Sequence, residues 1–280
     1  MDYDKISSLP AMFFANTKDI GNRPFLWAKH DGEWQPTSGE EAYKKAIALS
    51  NSLIELGVSK GDRIVLVSES RPEWMIADIA IMATGAISVP AYTTNQVNDH
   101  AHILRDSGAK GAIVSGPALA KNLLPAATEV GLDFIVAIED ISTGSHGISI
   151  HLWDKLISRH DGTVQVENDL ARTDTSCLIY TSGTGGVPKG VMLSHGAIIA
   201  NCKGAFQLLN TLGLNDERFL SFLPLSHSYE HTAGLMFPLS IKAQIYYAEG
   251  VDKLAANMEE VSPTIITAVP RLYETMHGRI

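Results

Sequence analysis

The sequence is poor in the features that mark several large classes of protein. It holds 2 cysteines in 280 residues, too few for a disulfide scaffold, so we expect Cys177 and Cys202 to be reduced and buried. The formal charge is -9 and no basic run exceeds two residues, which argues against nucleic-acid binding and against a polybasic membrane patch. The N-terminus lacks the basic start and apolar centre of a signal peptide, so a cytoplasmic protein is expected.

Long uninterrupted apolar runs are also missing. Segment 74–92 comes nearest, with Asp78 as its single charge, but Gly85 and Pro90 interrupt it. A helix that spans a bilayer needs about 20 consecutive apolar residues. We therefore predict no transmembrane segment, a helix over 73–83 that carries Asp78 on its surface, and a strand over 86–92. A peripheral membrane contact stays open.

What the sequence does contain is a regular alternation of strand-like and helix-like stretches. Such alternation predicts an α/β fold, with parallel sheets and helices on both faces. The predicted strands cover 63–68, 87–92, 111–115, 134–139, 176–180, 219–223, 244–248 and 264–269. The predicted helices cover 73–83, 99–107, 119–130, 152–160 and 251–261, with a further helix capped by Ser194.

The stretch 181–186 has the composition of an anion-binding loop. It packs three glycines, two threonines and a serine into six positions, and Lys189 follows closely. Glycine lets the backbone approach a ligand, and consecutive N–H groups can hold an anion. The pattern fits neither a P-loop nor a dinucleotide fingerprint, because Pro188 and Gly190 break both registers. Strand-like residues flank the loop on both sides, so we predict a strand–loop–strand unit that binds phosphate oxygens.

The loop resembles the phosphate-loop signature of the adenylate-forming superfamily, which contains the acyl-CoA synthetases. Gly185 is the one departure, since that family usually has threonine there, and the backbone cradle is kept. The resemblance runs from about Phe25 to the last residue, and further segments are similar to long-chain fatty-acid–CoA ligases. These segments are 61–74, 85–95, 223–230 and 269–274.

The resemblance implies a reaction and a set of site residues. The family joins a carboxylate to ATP, releases pyrophosphate, and passes the acyl group to a thiol, usually coenzyme A. Lys189 would hold the β- and γ-phosphates, a hydroxyl such as that of Thr181 would reach Mg²⁺, and His227 would lie beside the acyl carboxylate and the α-phosphate as the catalytic residue. The backbone and side chains that complete the phosphate cradle would be those of Thr181, Ser182, Gly183, Thr184, Gly185 and Gly186.

The resemblance also implies a domain organisation. Residues 1–280 would be part of an AMP-binding domain, with 60–210 as a first α/β subdomain and 1–59 with 211–280 as parts of a second. The family's acidic motif, its ribose-binding aspartate and its lysine-bearing C-terminal domain are not found in this sequence. We therefore expect a portion of a longer ligase that is inactive by itself and takes small-molecule substrates. The sequence does not predict its oligomeric state.

Two other functions remain open at this point. A nucleotide- or acyl-binding module without catalysis would share the same loop. A zinc hydrolase is the other alternative, since His227, Glu230 and His231 fit the pattern His-x-x-Glu-His. On a helix both histidines would share one face and could hold a metal. We expect His227 at the end of a strand rather than within a helix, which favours the ligase.

Overall fold

The computed structural model describes residues 2–141, 147–160, 169–181 and 187–270, and these residues form two β-sheets with helices packed between and around them. In chain order the strands are β1 (Pro24–His30), β2 (Glu33–Ser38), β3 (Arg63–Val67), β4 (Ile87–Pro90), β5 (Gly111–Val114), β6 (Phe134–Ala137), β7 (Ser149–Leu152), β8 (Thr175–Thr181), β9 (Lys189–Ser194), β10 (Arg218–Ser221), β11 (Gln244–Tyr247) and β12 (Ile265–Ile266). The helices are α1 (Leu9–Ile20), α2 (Gly39–Glu55), α3 (Pro72–Ala83), α4 (Val97–Ser107), α5 (Pro117–Val130), α6 (Trp153–Ile157), α7 (His195–Leu209), α8 (Ser228–Glu230), α9 (Phe237–Ser240) and α10 (Leu254–Val261).

Both sheets are parallel except at one edge. The larger sheet has the order β7-β6-β5-β3-β4-β8-β9, and the smaller has the order β12-β10-β11-β1-β2. Only the outer pairs β8–β9 and β1–β2 run antiparallel among the strands described. Helices cover the sheets, as parallel sheets require, and the α/β class predicted from the sequence is confirmed.

Several local predictions hold because short-range signals set the element ends. The helix predicted over 73–83 begins with Pro72 at its first turn, and Gly85 follows it with φ 79°. Within the described residues, no helix is long and apolar enough to cross a membrane. Cys177 and Cys202 are buried and unpaired. The strand predicted over 264–269 is shorter than expected and covers only Ile265–Ile266.

The N-terminal segment contains elements that the sequence analysis did not assign. Helices α1 and α2 and the hairpin of β1 and β2 all come before residue 60. The two strands join the smaller sheet beside β11, far along the chain. The division into subdomains over 60–210, and over 1–59 with 211–280, stays a prediction.

Asp78 corrects one expectation. It was predicted on a helix surface, yet its exposed fraction is 0%. The reason is the place of α3, which contacts β3 and β4 of the larger sheet as well as β1 of the smaller sheet and the helices α1 and α2. A helix surrounded in this way has no solvent face. Its one charge must therefore find a partner inside the protein.

Candidate functional site

The predicted phosphate loop connects β8 and β9 at the edge of the larger sheet. Thr181 ends β8 and lies directly opposite Lys189, the first residue of β9, and both are exposed. The strand–loop–strand prediction is therefore confirmed on both flanks, and the next helix starts after its cap, Ser194. The other predicted cradle residues lie outside the described residues: Ser182, Gly183, Thr184, Gly185 and Gly186.

The alternation of side chains in β9 shows which way the lysine faces. Successive strand residues point to opposite sides, so Lys189, Val191 and Leu193 share one face. Their partners on β8 are Thr181, Ile179 and Cys177, and the last two are buried in the core that contains α3 and α7. Thr181 and Lys189 thus stand at the open end of the inward face of this hairpin.

Helix α4 supports the hairpin from its other face. The Nε2 atom of His102 lies 2.8 Å from the carbonyl oxygen of Pro188, and the hydroxyl of Tyr180 donates to Oδ2 of Asp106 at 2.7 Å. Burial and the neighbouring carboxylate raise the pKa of Tyr180, so its hydroxyl stays protonated. A Cβ at Gly190 would come within 3.1 Å of the Tyr180 ring, so glycine fits that contact best. None of these supporting residues was predicted from the sequence.

His227 lies at the start of a helix, and the prediction that it ends a strand is wrong. Strand β10 stops at Ser221, and the chain turns so that the backbone N–H of His227 donates to the carbonyl of Pro224 at 3.0 Å. His227 then caps α8, because its Nδ1 accepts a hydrogen bond from the N–H of Tyr229 at 3.1 Å. In the neutral ring the proton therefore sits on Nε2, which is the atom left to donate to a ligand. The side chain is exposed.

The helical region after His227 is irregular, and its ionisable residues Glu230 and His231 are buried. A π-helical segment, His231–Met236, joins α8 to α9. Glu230 is 0% exposed and accepts from the hydroxyls of Ser221 at 2.7 Å and Thr267 at 2.5 Å. His231 is also 0% exposed, and its Nε2 lies 2.9 Å from Oδ2 of Asp78.

These partners separate the three residues of the His-x-x-Glu-His pattern. His227 faces solvent, Glu230 bonds two hydroxyls, and His231 bonds the carboxylate of Asp78. Within residues 2–141, 147–160, 169–181 and 187–270, no group of three metal-ligating side chains comes together. The geometry therefore lends no support to the zinc-hydrolase alternative.

An apolar groove lies between β9 and the helix that His227 caps. Its volume is about 430 Å³, and its walls include Leu193 from β9, Ile198 from α7 and Phe237 from α9. Ser228 and Tyr229 line it directly after His227. Since Lys189 shares a face with Leu193, and strands rise about 3.3 Å per residue, the loop lysine lies roughly 13 Å farther along the same strand. The groove and the loop lysine are therefore both associated with β9, the groove at Leu193 and the lysine at the loop end of the strand.

A second, more polar cavity of about 580 Å³ lies where strands of both sheets end. Side chains of Glu69 and Ser115 meet there at 2.5 Å, after β3 and β5. Arg71 bridges Glu73 and Glu139 on the same wall. Crevices at the carboxyl ends of parallel strands are common ligand sites in α/β proteins. This cavity also contacts the segment that leads to His227, through Pro224, Leu225 and Ser226.

Comparison with known families shows which family the chain belongs to. A family model described as "AMP-binding enzyme" matches residues 13–278, nearly the whole chain. This chain belongs to the AMP-binding enzyme family. The resemblance of this chain to the adenylate-forming superfamily is thereby confirmed, and the matched residues include the His227 turn as well as the loop.

Long-chain ligases are among the similar curated proteins. One is the long-chain-fatty-acid–CoA ligase FadD15 of Mycobacterium tuberculosis, 30% identical over 97% of this chain and 45% of its own length. Another is the peroxisomal long chain acyl-CoA synthetase 7 of Arabidopsis thaliana, 30% identical over 95% of this chain and 39% of its length. The chain thus spans less than half the length of these relatives.

Solved structures share the fold. A long-chain-fatty-acid-CoA ligase (FadD1) from Archaeoglobus fulgidus superposes with a TM-score of 0.81 at 21% identity, over 96% of this chain and 53% of that one. The anthranilate CoA ligase AuaEII, solved in complex with anthranoyl-AMP, gives 0.84 at 22% identity, over 98% and 52%. The two-sheet architecture of this AMP-binding family member is therefore that of adenylate-forming enzymes.

Proposed function

We propose that this chain is the N-terminal portion of an AMP-forming long-chain fatty-acid–CoA ligase. The observation that carries the proposal is the pairing of Thr181 with Lys189 at the mouth of a glycine- and hydroxyl-rich loop, in a chain that matches the AMP-binding family from residue 13 to 278. Such a loop, closed by a cation, has the chemistry needed to hold a triphosphate.

Each described site residue has a role in this proposal. Lys189 would pair with the β- and γ-phosphates of ATP, and the exposed hydroxyl of Thr181 supplies an oxygen ligand of the kind Mg²⁺ prefers. When bound, Mg²⁺ would neutralise phosphate charge. His227 would donate from Nε2 to an anionic oxygen of the carboxylate or the α-phosphate, which stabilises charge as the acyl–phosphate bond forms. The rest of the cradle would come from 182–186.

The apolar groove beside His227 is the support for an acyl substrate. Its walls of Leu193, Ile198 and Phe237 suit a hydrocarbon chain better than a charged one. Coenzyme A is proposed as the acceptor on the strength of the relatives' names. Two buried, unpaired cysteines support a reducing, cytoplasmic location.

We expect this chain to bind ATP weakly and not to complete the reaction. Calorimetric titrations with Mg·ATP, Mg·GTP and a non-hydrolysable acyl-adenylate mimic test the proposal. The mimic should bind most tightly, because its acyl group and α-phosphate engage the apolar groove and the His227 turn together, and ATP should bind more tightly than GTP.

Lys189→Ala isolates the contribution of the loop cation. Loss of one charge-assisted contact, worth about 1.5–3 kcal/mol, should weaken Mg·ATP binding about 10- to 100-fold. Lys44→Ala is the matched control, since Lys44 is exposed on α2 and pairs with Glu40 on the same helix. Equal ATP affinity in the wild type and the Lys189 variant would contradict the proposal. Tight nucleotide binding in a complete gene product without thioester formation would favour the non-catalytic binding module.

A further inference from the structure

We propose that Asp78, Glu230 and His231 are positioning residues, which tie the turn that carries His227 to both sheets and so fix the direction of its imidazole. The proposal rests on the function proposed above for His227. The three residues do not reach the substrate side of the turn, because each has an exposed fraction of 0%. They act through the backbone between 227 and 231.

Glu230 ties the turn to the smaller sheet. Its carboxylate accepts hydrogen bonds from Ser221, the last residue of β10, and from Thr267, just after β12. Gly234 leaves the space for this arrangement, since a Cβ there would collide with the Glu230 carboxylate. Glycine destabilises a helix interior, so its presence one turn after Glu230 marks a site where close approach matters.

His231 ties the same turn to α3, which packs on the larger sheet. Its ring lies 2.9 Å from the Asp78 carboxylate and contacts Trp74 edge-on, at 5.7 Å between ring centroids. Burial lowers the pKa of His231, but the charge and hydrogen bond of Asp78 outweigh it and raise the pKa to about 10. The Asp78 carboxylate thus favours the charged form of the His231 imidazole, and the contact joins the turn to α3.

The backbone passes this restraint to His227. The N–H of His231 donates to the carbonyl of His227 at 2.9 Å, which closes the first helical turn. Because Glu230 is held by residues of the smaller sheet and His231 by residues of α3, the residue one turn earlier is held in one orientation. The π-helical segment begins at His231, and such segments are frequent at functional sites.

Stability alone explains these residues poorly. Taking two charges out of water is costly, and replacing a buried ion pair by apolar side chains is often neutral or stabilising. The turn itself carries a buried carboxylate, Glu230, whose hydrogen-bond partners among the described residues are hydroxyl groups and not a cation. Burial raises the pKa of Glu230 to about 7, which shows the cost of keeping it there. A requirement to hold the turn in one conformation accounts for both the Asp78–His231 pair and the buried Glu230 carboxylate.

The test reads the imidazole of His227 directly in the full 280-residue chain. Long-range ¹H–¹⁵N spectra of protein labelled at its histidine rings report which ring nitrogen carries the proton. His227→Gln assigns the signal among the 10 histidines. In the wild type we expect Nδ1 to be unprotonated and Nε2 protonated, because Tyr229 donates to Nδ1.

Asp78→Asn, Glu230→Gln and the milder Thr267→Val should move the His227 signals toward those of a free, tautomer-averaged imidazole. Affinity for the acyl-adenylate mimic should fall about 3- to 10-fold, which corresponds to about one lost hydrogen bond. The double variant Asp78→Asn/His231→Gln restores a neutral hydrogen-bonded pair and should recover part of both effects.

Asn257→Ala is the structural control. Asn257 is also 0% exposed, but it bonds Glu249 instead of the turn, so its loss should lower stability and leave the His227 signals unchanged. If the turn variants lower the unfolding midpoint and likewise leave those signals unchanged, the positioning role is refuted. If the signals move while the mimic never binds the wild type, the function proposed for His227 fails and the restraint itself stands.

Discussion

The two edge hairpins of this protein share a scaffold and differ in their connections. In each sheet a strand that pairs in parallel with its inner neighbour is followed by an antiparallel edge strand, β2 in one and β9 in the other. Both edge strands end at a serine that caps the next helix, Ser38 for α2 and Ser194 for α7. The framework around the two connections is therefore nearly the same.

The connections themselves are unlike. His30 and Glu33 face each other across a two-residue turn, Asp31-Gly32, with φ values of 52° and 84°. Asp-Gly in such a turn matches the twist of the strands and leaves nothing over for a ligand. Residues 182–188 make the equivalent link between Thr181 and Lys189. Two residues are enough to reverse the chain in a hairpin. The five additional residues between Thr181 and Lys189 therefore indicate a role beyond chain reversal.

The strongest test of this difference is to give both hairpins the same two-residue turn. Replacing 182–188 by Asp-Gly should keep the pairing of Thr181 with Lys189 and abolish Mg·ATP binding, a loss of at least about 100-fold, since several charge-assisted contacts are removed together. The unfolding midpoint should change little, because the shorter loop costs about 1 kcal/mol less closure entropy, and this gain offsets the loss of the contact between His102 and the Pro188 carbonyl, worth about 1 kcal/mol. Titration calorimetry and thermal unfolding measure the two effects. Retained nucleotide affinity would place the triphosphate elsewhere.

A second difference between the two hairpins is the way their stability depends on pH. His195 follows Ser194, is buried, and accepts at Nδ1 from the N–H of Leu9 at 3.3 Å. Burial lowers its pKa to about 4, against the opposing charges of Asp174 and Asp78. Because the folded pKa is below the ordinary value of 6.5, His195 stabilises the fold above pH 6.5, and that stability is lost as the pH falls toward 4.

Denaturant unfolding at a series of pH values tests this difference. Between pH 6 and 4 the wild type should lose up to about 1.4 kcal/mol per pH unit relative to His195→Gln. At the other hairpin, hydrogen bonds from Ser38 lower the pKa of Glu41. The stability that Glu41 contributes is therefore lost only when the pH falls below the ordinary carboxyl value near 4.5. Parallel pH profiles for the two proteins would show that His195 is not held neutral.

The smallest expected effect compares the two caps. Ser194 accepts one hydrogen bond, from the N–H of Ala197 at 3.2 Å. Ser38 forms a reciprocal capping box with Glu41. Ser194→Ala and Ser38→Ala should each lower the free energy of unfolding by about 1 kcal/mol, with the larger loss at Ser38 because Glu41 also loses a partner. Denaturant unfolding at pH 7 measures both, and a larger loss at Ser194 would reverse the comparison.

Local patterns made much of the fold predictable. Buried strands such as β3 appear as apolar runs, and glycine or proline marks the ends of α3, α4 and α5. The hairpin of β1 and β2 was missed even though Asp31-Gly32 between strand-like residues is a recognisable hairpin signal. At the candidate site, the strand–loop–strand pattern predicts the pairing of Thr181 with Lys189. No local pattern predicted that His227 begins a helix.

The sequence by itself determined the class of fold, the strand–loop–strand unit and the family, because apolar periodicity, turn residues and a short glycine motif act over a few neighbouring positions. Only the tertiary structure decided that Asp78 is buried, that His231 is its partner 153 residues away, and that His227 begins a helix. A buried charge takes its partner from whichever element packs against it. That contact depends on how both sheets meet, which no local stretch of sequence contains.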